Sequence, residues 1–156
     1  MYPFRRLTVW EKSHQLTLRT YRATDGAMTR RYPGLSAQLR RSIAAIPANI
    51  AGGAGHATDP RFNRYLEIAL ASAREADYHL LLARDLEAID GREYAILEAR
   101  LSEVQGMLMG LRKRVLERVR QNGKRGGRTA SPLTPHTSHP KVSRRTMEPG
   151  RATQPT

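Results

Sequence analysis

The chain contains no cysteine, which removes disulfides, thiolate nucleophiles and cysteine-based zinc sites and fits a reducing compartment. No run of about 18 apolar residues could span a bilayer, and Met1-Tyr2-Pro3-Phe4-Arg5-Arg6 lacks the apolar stretch of a secretion signal. The expected location is therefore the cytoplasm, with no membrane partner. Aromatic residues are scarce: two Phe, one Trp and six Tyr. They read as packing residues, which argues against sequence-specific readout of a single strand. Acidic residues are outnumbered 27 to 14 by Lys and Arg, for a formal net charge of +13. An excess of this size favours a polyanionic partner, RNA or DNA, or failing that an acidic protein.

A length of 156 residues suits one domain with a core of its own. The strongest periodicity is Tyr94, Leu97, Leu101, Val104, Leu108, Leu111 and Val115, alternating spacings of three and four that predict one long helix over 91–122. Upstream, Thr58-Asp59-Pro60 combines a capping residue with a first-turn proline and opens a second helix running to about Ile89. Its stripe of Leu66, Ala69, Ala73, Ala76, Leu80 and Ala83 is small enough for close helix approach. A second row of Ile68, Ala71, Tyr78 and Leu82 exceeds what one buried face needs, so Ile68, Tyr78 and Leu82 are the candidate oligomer interface.

Leu35, Leu39, Ile43, Ile46 and Ile50 predict a helix over 35–52. Pro47 inside it cannot bond the carbonyl of Ile43 and should kink or split it. The least regular helix, 7–24, carries Leu7, Trp10 and Tyr21 on one row and Val9 and Leu16 on another. Asp25-Gly26, Tyr32-Pro33-Gly34 and Gly52-Gly53-Ala54-Gly55 read as turns. Short connections make neighbouring helices antiparallel, so the expected fold is all-α, an up-down-up-down four-helix bundle over 1–122. Residues 123–156 are rich in Gly, Pro, Ser, Thr and Arg, with Leu133, Val142 and Met147 the sizeable apolar residues, and read as a disordered basic tail.

Several segments together carry a family likeness: Phe4-Arg5-Arg6-Leu7-Thr8-Val9-Trp10-Glu11-Lys12-Ser13, then Gln38-Leu39-Arg40-Arg41-Ser42, Ile46-Pro47-Ala48-Asn49-Ile50-Ala51 and Tyr65-Leu66-Glu67-Ile68-Ala69. The chain resembles, over about residues 4–120, the four-helix-bundle proteins encoded within intervening sequences of bacterial large-subunit ribosomal RNA genes. That resemblance implies an antiparallel bundle assembled into a homopentameric ring. It also implies similarity to the accessory variability protein of diversity-generating retroelements, which has a basic surface and works with a reverse transcriptase and nucleic acid. Gly52 stands where relatives usually carry an acidic residue after Asn-Ile-Ala, so no role of that carboxylate transfers.

Catalytic patterns are missing. The glycine run lacks a preceding strand and a following Lys-Ser/Thr, so it reads as a turn rather than a phosphate loop. The five histidines, His14, His56, His79, His136 and His139, show no metal-ligand spacing, and His79 reads as a partnered interfacial residue. Glu67, Glu75 and Asp85 alternate with Arg64, Arg74 and Arg84 as a solvated, ion-paired face. No enzyme, cofactor or metal is therefore expected. Basic clusters are the positive signal: Arg30, Arg31, Arg40, Arg41, Arg112, Lys113, Arg114, Arg118, Arg120, Lys124, Arg125 and Arg128. Guanidinium forks suit phosphate, although cations in the last turns of a helix also stabilise its dipole. The functional expectation is a basic, homo-oligomeric nucleic-acid-binding accessory protein. The alternative is a scaffold that recruits an acidic protein or a reverse transcriptase.

Overall fold

The heptad seam near the end of the chain becomes the longest element of a computed structural model that describes residues 3–56 and 58–126, with side chains through 123. Within those residues a 3-10 turn, Phe4–Arg6, precedes α1 (Thr8–Ala23), α2 (Ala27–Arg31), α3 (Pro33–Ala54), α4 (Asp59–Asp85) and α5 (Gly91–Gly126). Among the described residues there is no strand, and no helix is long and apolar enough to cross a membrane.

Leu97, Leu101, Val104, Leu108, Leu111 and Val115 of α5 are all buried, as are Leu66, Ala69, Ala73, Ala76, Leu80 and Ala83 of α4. Burial of each Leu or Val contributes roughly 1.5–3 kcal/mol, so these two seams with Leu39, Ile43, Ile46 and Ile50 of α3 hold the core together. Asp90 caps α5, its Oδ1 accepting from the Arg92 and Glu93 amides at 2.9 and 3.2 Å.

Cross-helix contacts fix directions. Lys12 pairs with Glu103 and Arg19 with Glu93, so α1 and α5 run in opposite senses. Asp59–Arg118 and Glu67–Arg112 show the same for α4 and α5, and the Arg40–Thr24 and Thr17–Ile43 contacts for α1 and α3. Each of α1, α3, α4 and α5 packs against two of the others, and α1 lies diagonally across from α4.

Several local expectations need correction. Pro33 starts α3 rather than sitting in a turn, because its fixed φ and missing N–H suit the first helical turn. The short α2 follows Gly26, whose φ of +72° only glycine adopts freely. Pro47 does not split α3, which is continuous through it. The Ile43 carbonyl, deprived of its partner, lies 3.4 Å from the Thr17 hydroxyl of α1, whose shorter bond goes to Ser13 O at 2.8 Å.

Gly52 and Gly53 belong to α3, not to a turn. A Cβ on Gly53 would stand 2.5 Å from Tyr65 Cβ and 2.9 Å from the Phe62 ring, so glycine there permits the close α3–α4 approach. At the start of α4, Thr58 occupies the N-cap position but makes no side-chain capping bond. That helix stops at Asp85, four residues short of Ile89: Glu87 takes a left-handed φ of 51° and Ala88 N bonds back to Ala83 O at 2.8 Å. Finally, α5 continues to Gly126, past the expected end at 122.

Candidate nucleic-acid interface

The antiparallel packing divides the basic residues named from sequence between two ends of the molecule. Arg30 and Arg31 of α2 and Arg40 and Arg41 of α3 gather where α1 ends. Arg112, Lys113, Arg114, Arg118 and Arg120 of α5 gather where α1 begins. At 1.5 Å per residue, the α5 segment from Arg92 to Arg114 puts roughly 30 Å between the ends. Among the described residues, the cations named from sequence do not gather into one compact site.

Three of those arginines are held inside the fold. Arg40 Nε donates to Thr24 Oγ1 at 2.8 Å and its Nη2 to Tyr21 O at 3.1 Å, closing the last turn of α1. Its guanidinium also lies over the Tyr21 ring at 5.1 Å. Arg112 Nη2 donates to Glu67 Oε1 at 2.5 Å across the α4–α5 seam, and Arg118 pairs with Asp59 at 3.7 Å. Arg41 is exposed and donates to Glu75 Oε1 at 3.2 Å, while Arg31 lies over the Tyr32 ring at 5.2 Å.

By contrast Lys113, Arg114 and Arg120 are exposed, and no ion pair engages them among the described residues. Arg114 faces Arg6 across a cleft of about 240 Å³ whose floor is Leu7, Val9, Met107 and Leu111. Arg6, which sequence patterns did not single out, joins this end because the chain enters the bundle beside Met107, Leu111 and Arg114 of α5. The opposite end collects Asp25, Glu75, Asp85, Glu87, Asp90 and Glu93 around its arginines, which cancels much of their field. The α5 end is therefore the stronger attractor for phosphate. The Lys124 and Arg125 backbones extend this helix, whereas Arg128, His136 and His139 lie outside the described residues.

On α4 the second apolar row faces outward. Tyr78 is 61% exposed, Ile68 39% and Leu82 half-buried. The expected ion-paired face is real but partly cross-helical: Glu67 meets Arg64 and Arg112, Glu75 meets Arg41, and Asp85 meets Arg84. His79, expected to be partnered, has a buried Nδ1 with no hydrogen-bond partner among the described residues, and a ring contact to Tyr78. No group of three metal-ligating side chains occurs among the described residues.

Two ion pairs have shifted titration: the Asp85 carboxylate pushes Arg84 up, and the Arg19–Glu93 pair shifts both of its members. Arg19 donates from Nε and Nη2 to the two carboxylate oxygens of Glu93 at 2.6 and 2.8 Å. These bonds hold the Glu93 carboxyl below its ordinary range and push Arg19 up. The place of this second pair, tying the start of α5 to α1, is structural.

Residues 5–110 match the family model described as 23S rRNA-intervening sequence protein. Among solved structures the chain is similar to a protein of unknown function from the S23 ribosomal protein family of Bacteroides thetaiotaomicron. The identity is 27% and the TM-score 0.63, covering 68% of this chain and 99% of that one. None of the curated proteins matches the chain significantly. With two thirds of its length matched by one family model, the chain belongs to the 23S rRNA-intervening sequence protein family.

Proposed function

We propose that this protein is a non-enzymatic, cytoplasmic, homo-oligomeric accessory factor that binds RNA or DNA through phosphate contacts, built on an up-down-up-down four-helix bundle. The carrying observation is the set of exposed cations that form no ion pair among the described residues, Arg114 sharing one cleft with Arg6 and Lys113 and Arg120 lining another beside Glu117, at the end of the bundle with fewer carboxylates. Family membership alongside ribosomal RNA intervening sequences supports a nucleic-acid setting. A pentamer, with Ile68, Tyr78 and Leu82 at the subunit boundary, and a reverse transcriptase as protein partner belong to the same reading by resemblance. The test is to purify the protein at low salt, identify co-purifying nucleic acid and titrate RNA and DNA duplexes at several salt concentrations. Affinity should fall steeply with salt. A salt-independent affinity, or none, would reject the proposal.

One observation favours the scaffold alternative. Leu70, Met109 and Leu116 line an α4–α5 groove of about 350 Å³ flanked by Arg112, Lys113 and Arg120, with one carboxylate, Glu117, among them. Met109 is 55% exposed there. Such a groove suits an acidic amphipathic helix, and it uses the same cations, so the two partners would compete.

A further inference from the structure

The few aromatic residues are not all spent on the core. Phe4 meets Trp10 edge-on at 4.9 Å, and the exposed His14 ring stacks on Trp10 at 5.1 Å with only 7° between the planes. Further along, Leu18 and Tyr21 are each 43% exposed. Positions 10, 14, 18 and 21 follow the three- and four-residue rhythm of one helix face, so the rings of Trp10, His14 and Tyr21 share one face of α1 with Leu18 between them.

Guanidinium groups stand at both ends of that face: Arg5 lies over Phe4 at 5.6 Å and Arg40 over Tyr21 at 5.1 Å. Beside Tyr21 opens a trough of about 520 Å³ between α1 and α3, walled by Arg40 and Arg41 and floored by Ala37 and Ala44. The carboxylates nearby are Glu11, which accepts from Gln15, Asp25, 3.6 Å from Arg40, and Glu75, which accepts from the exposed Arg41 at 3.2 Å.

Resting on the nucleic-acid reading above, we propose that the α1 face from Phe4 to Tyr21 is a track for single-stranded nucleic acid. Bases stack on the His14 ring and on the open side of Tyr21, while phosphates meet the exposed guanidinium groups of Arg5 and Arg41. Exposed rings interleaved with cations are what a single strand requires, because every base has a stackable face and every linkage a charge. A duplex hides its bases and can use only the cations. Two features favour this occupant over a second copy of the chain: an exposed guanidinium at each end, Arg5 and Arg41, and small side chains that leave room for a planar base beside Tyr21.

Trp10 is the sole tryptophan, so its fluorescence reports this face directly. The full chain is titrated at low salt with oligodeoxythymidylate of about 20 nucleotides and with a duplex of about the same length. The single strand should quench Trp10 and the duplex should leave it unchanged. His14→Ala should weaken single-strand binding roughly five- to hundredfold, the range for losing one stacked base, with duplex affinity unaltered. Because His14 is exposed, unchanged far-UV circular dichroism confirms that its variant folds; Tyr21→Ala repeats the test at the other end. If the duplex binds with a steep salt dependence but Trp10 responds equally to both ligands, or His14→Ala binds single strands normally, the track is refuted while the general reading stands. If neither ligand binds, the general reading fails first. Emission that follows protein concentration and ignores added strand assigns the face to self-association and overturns the track.

Discussion

Arg112 on α5 donates to Glu67 on α4, 45 positions earlier in the chain, while Lys113 and Arg114, which follow it directly, do not share the bond. Three consecutive cations thus have two different occupations. Arg112 belongs to the seam between helices, and its neighbours face solvent.

Replacing Lys113, Arg114 and Arg120 together with Gln should therefore shallow the salt dependence of nucleic-acid binding by roughly two to three log units per tenfold salt, about 0.7 to 0.9 for each phosphate that is no longer neutralised. Arg112→Gln should leave that slope unchanged and lower stability by about 0.5–1 kcal/mol, as for a partly exposed ion pair. Filter binding at four salt concentrations and urea unfolding of both variants check this. An equally shallow slope in both variants would mean that Arg112 leaves Glu67 on binding.

Gly53→Ala should destabilise the bundle by about 1–3 kcal/mol, because its methyl would overlap Tyr65 Cβ, fixed to the α4 backbone. Gly52→Ala meets only the Tyr65 ring edge, at 3.3 Å, which can swing away. That variant should be neutral or gain up to about 1 kcal/mol from helix propensity. Urea midpoints of the pair give the comparison.

Acid should weaken the tie between α1 and α5. Glu93 has a folded pKa below its unfolded value because Arg19 stabilises the charged form. The stability it contributes is therefore present above the ordinary carboxylate pKa and is lost as pH falls through the lower, folded one. Glu93→Gln should melt below the parent at neutral pH, and the gap should close as pH drops through that window. A gap independent of pH would show that the carboxylate's charge contributes nothing.

The outward row of α4 predicts association. Tyr78→Glu with Ile68→Glu should convert an oligomer at micromolar concentration into smaller species in light scattering without loss of helicity, since both side chains are exposed in the single chain. A parent protein that is already monomeric would remove the interface.

Much of the fold was legible because α4 and α5 repeat their apolar residues for many turns. Seams of that length leave no alternative period. What escaped were features decided by a neighbouring element. The Gly52-Gly53 pair looks like a turn until Tyr65 and Phe62 are seen pressed against it, and the five residues of α2 are too short to show a period. At the site, sequence located the cations but not their partners. Glu67 stands beside Arg64 in sequence, yet its shorter bond reaches Arg112, and nothing local marks Arg40 as the closure of α1. The stacking of His14 on Trp10 had a visible signal, an i, i+4 aromatic pair, that scarcity of aromatics obscured.

The diagonal placement of α1 and α4 governs valence. In the proposed assembly, copies joined through the α4 row would keep their α1 faces in solvent, so assembly would multiply the proposed tracks instead of covering them. A strand long enough to reach two protomers meets the second at high effective concentration, and its avidity can exceed that of a short strand by orders of magnitude with the same local chemistry at each protomer. Length of the nucleic acid, rather than its sequence, then becomes the property that the assembled protein discriminates.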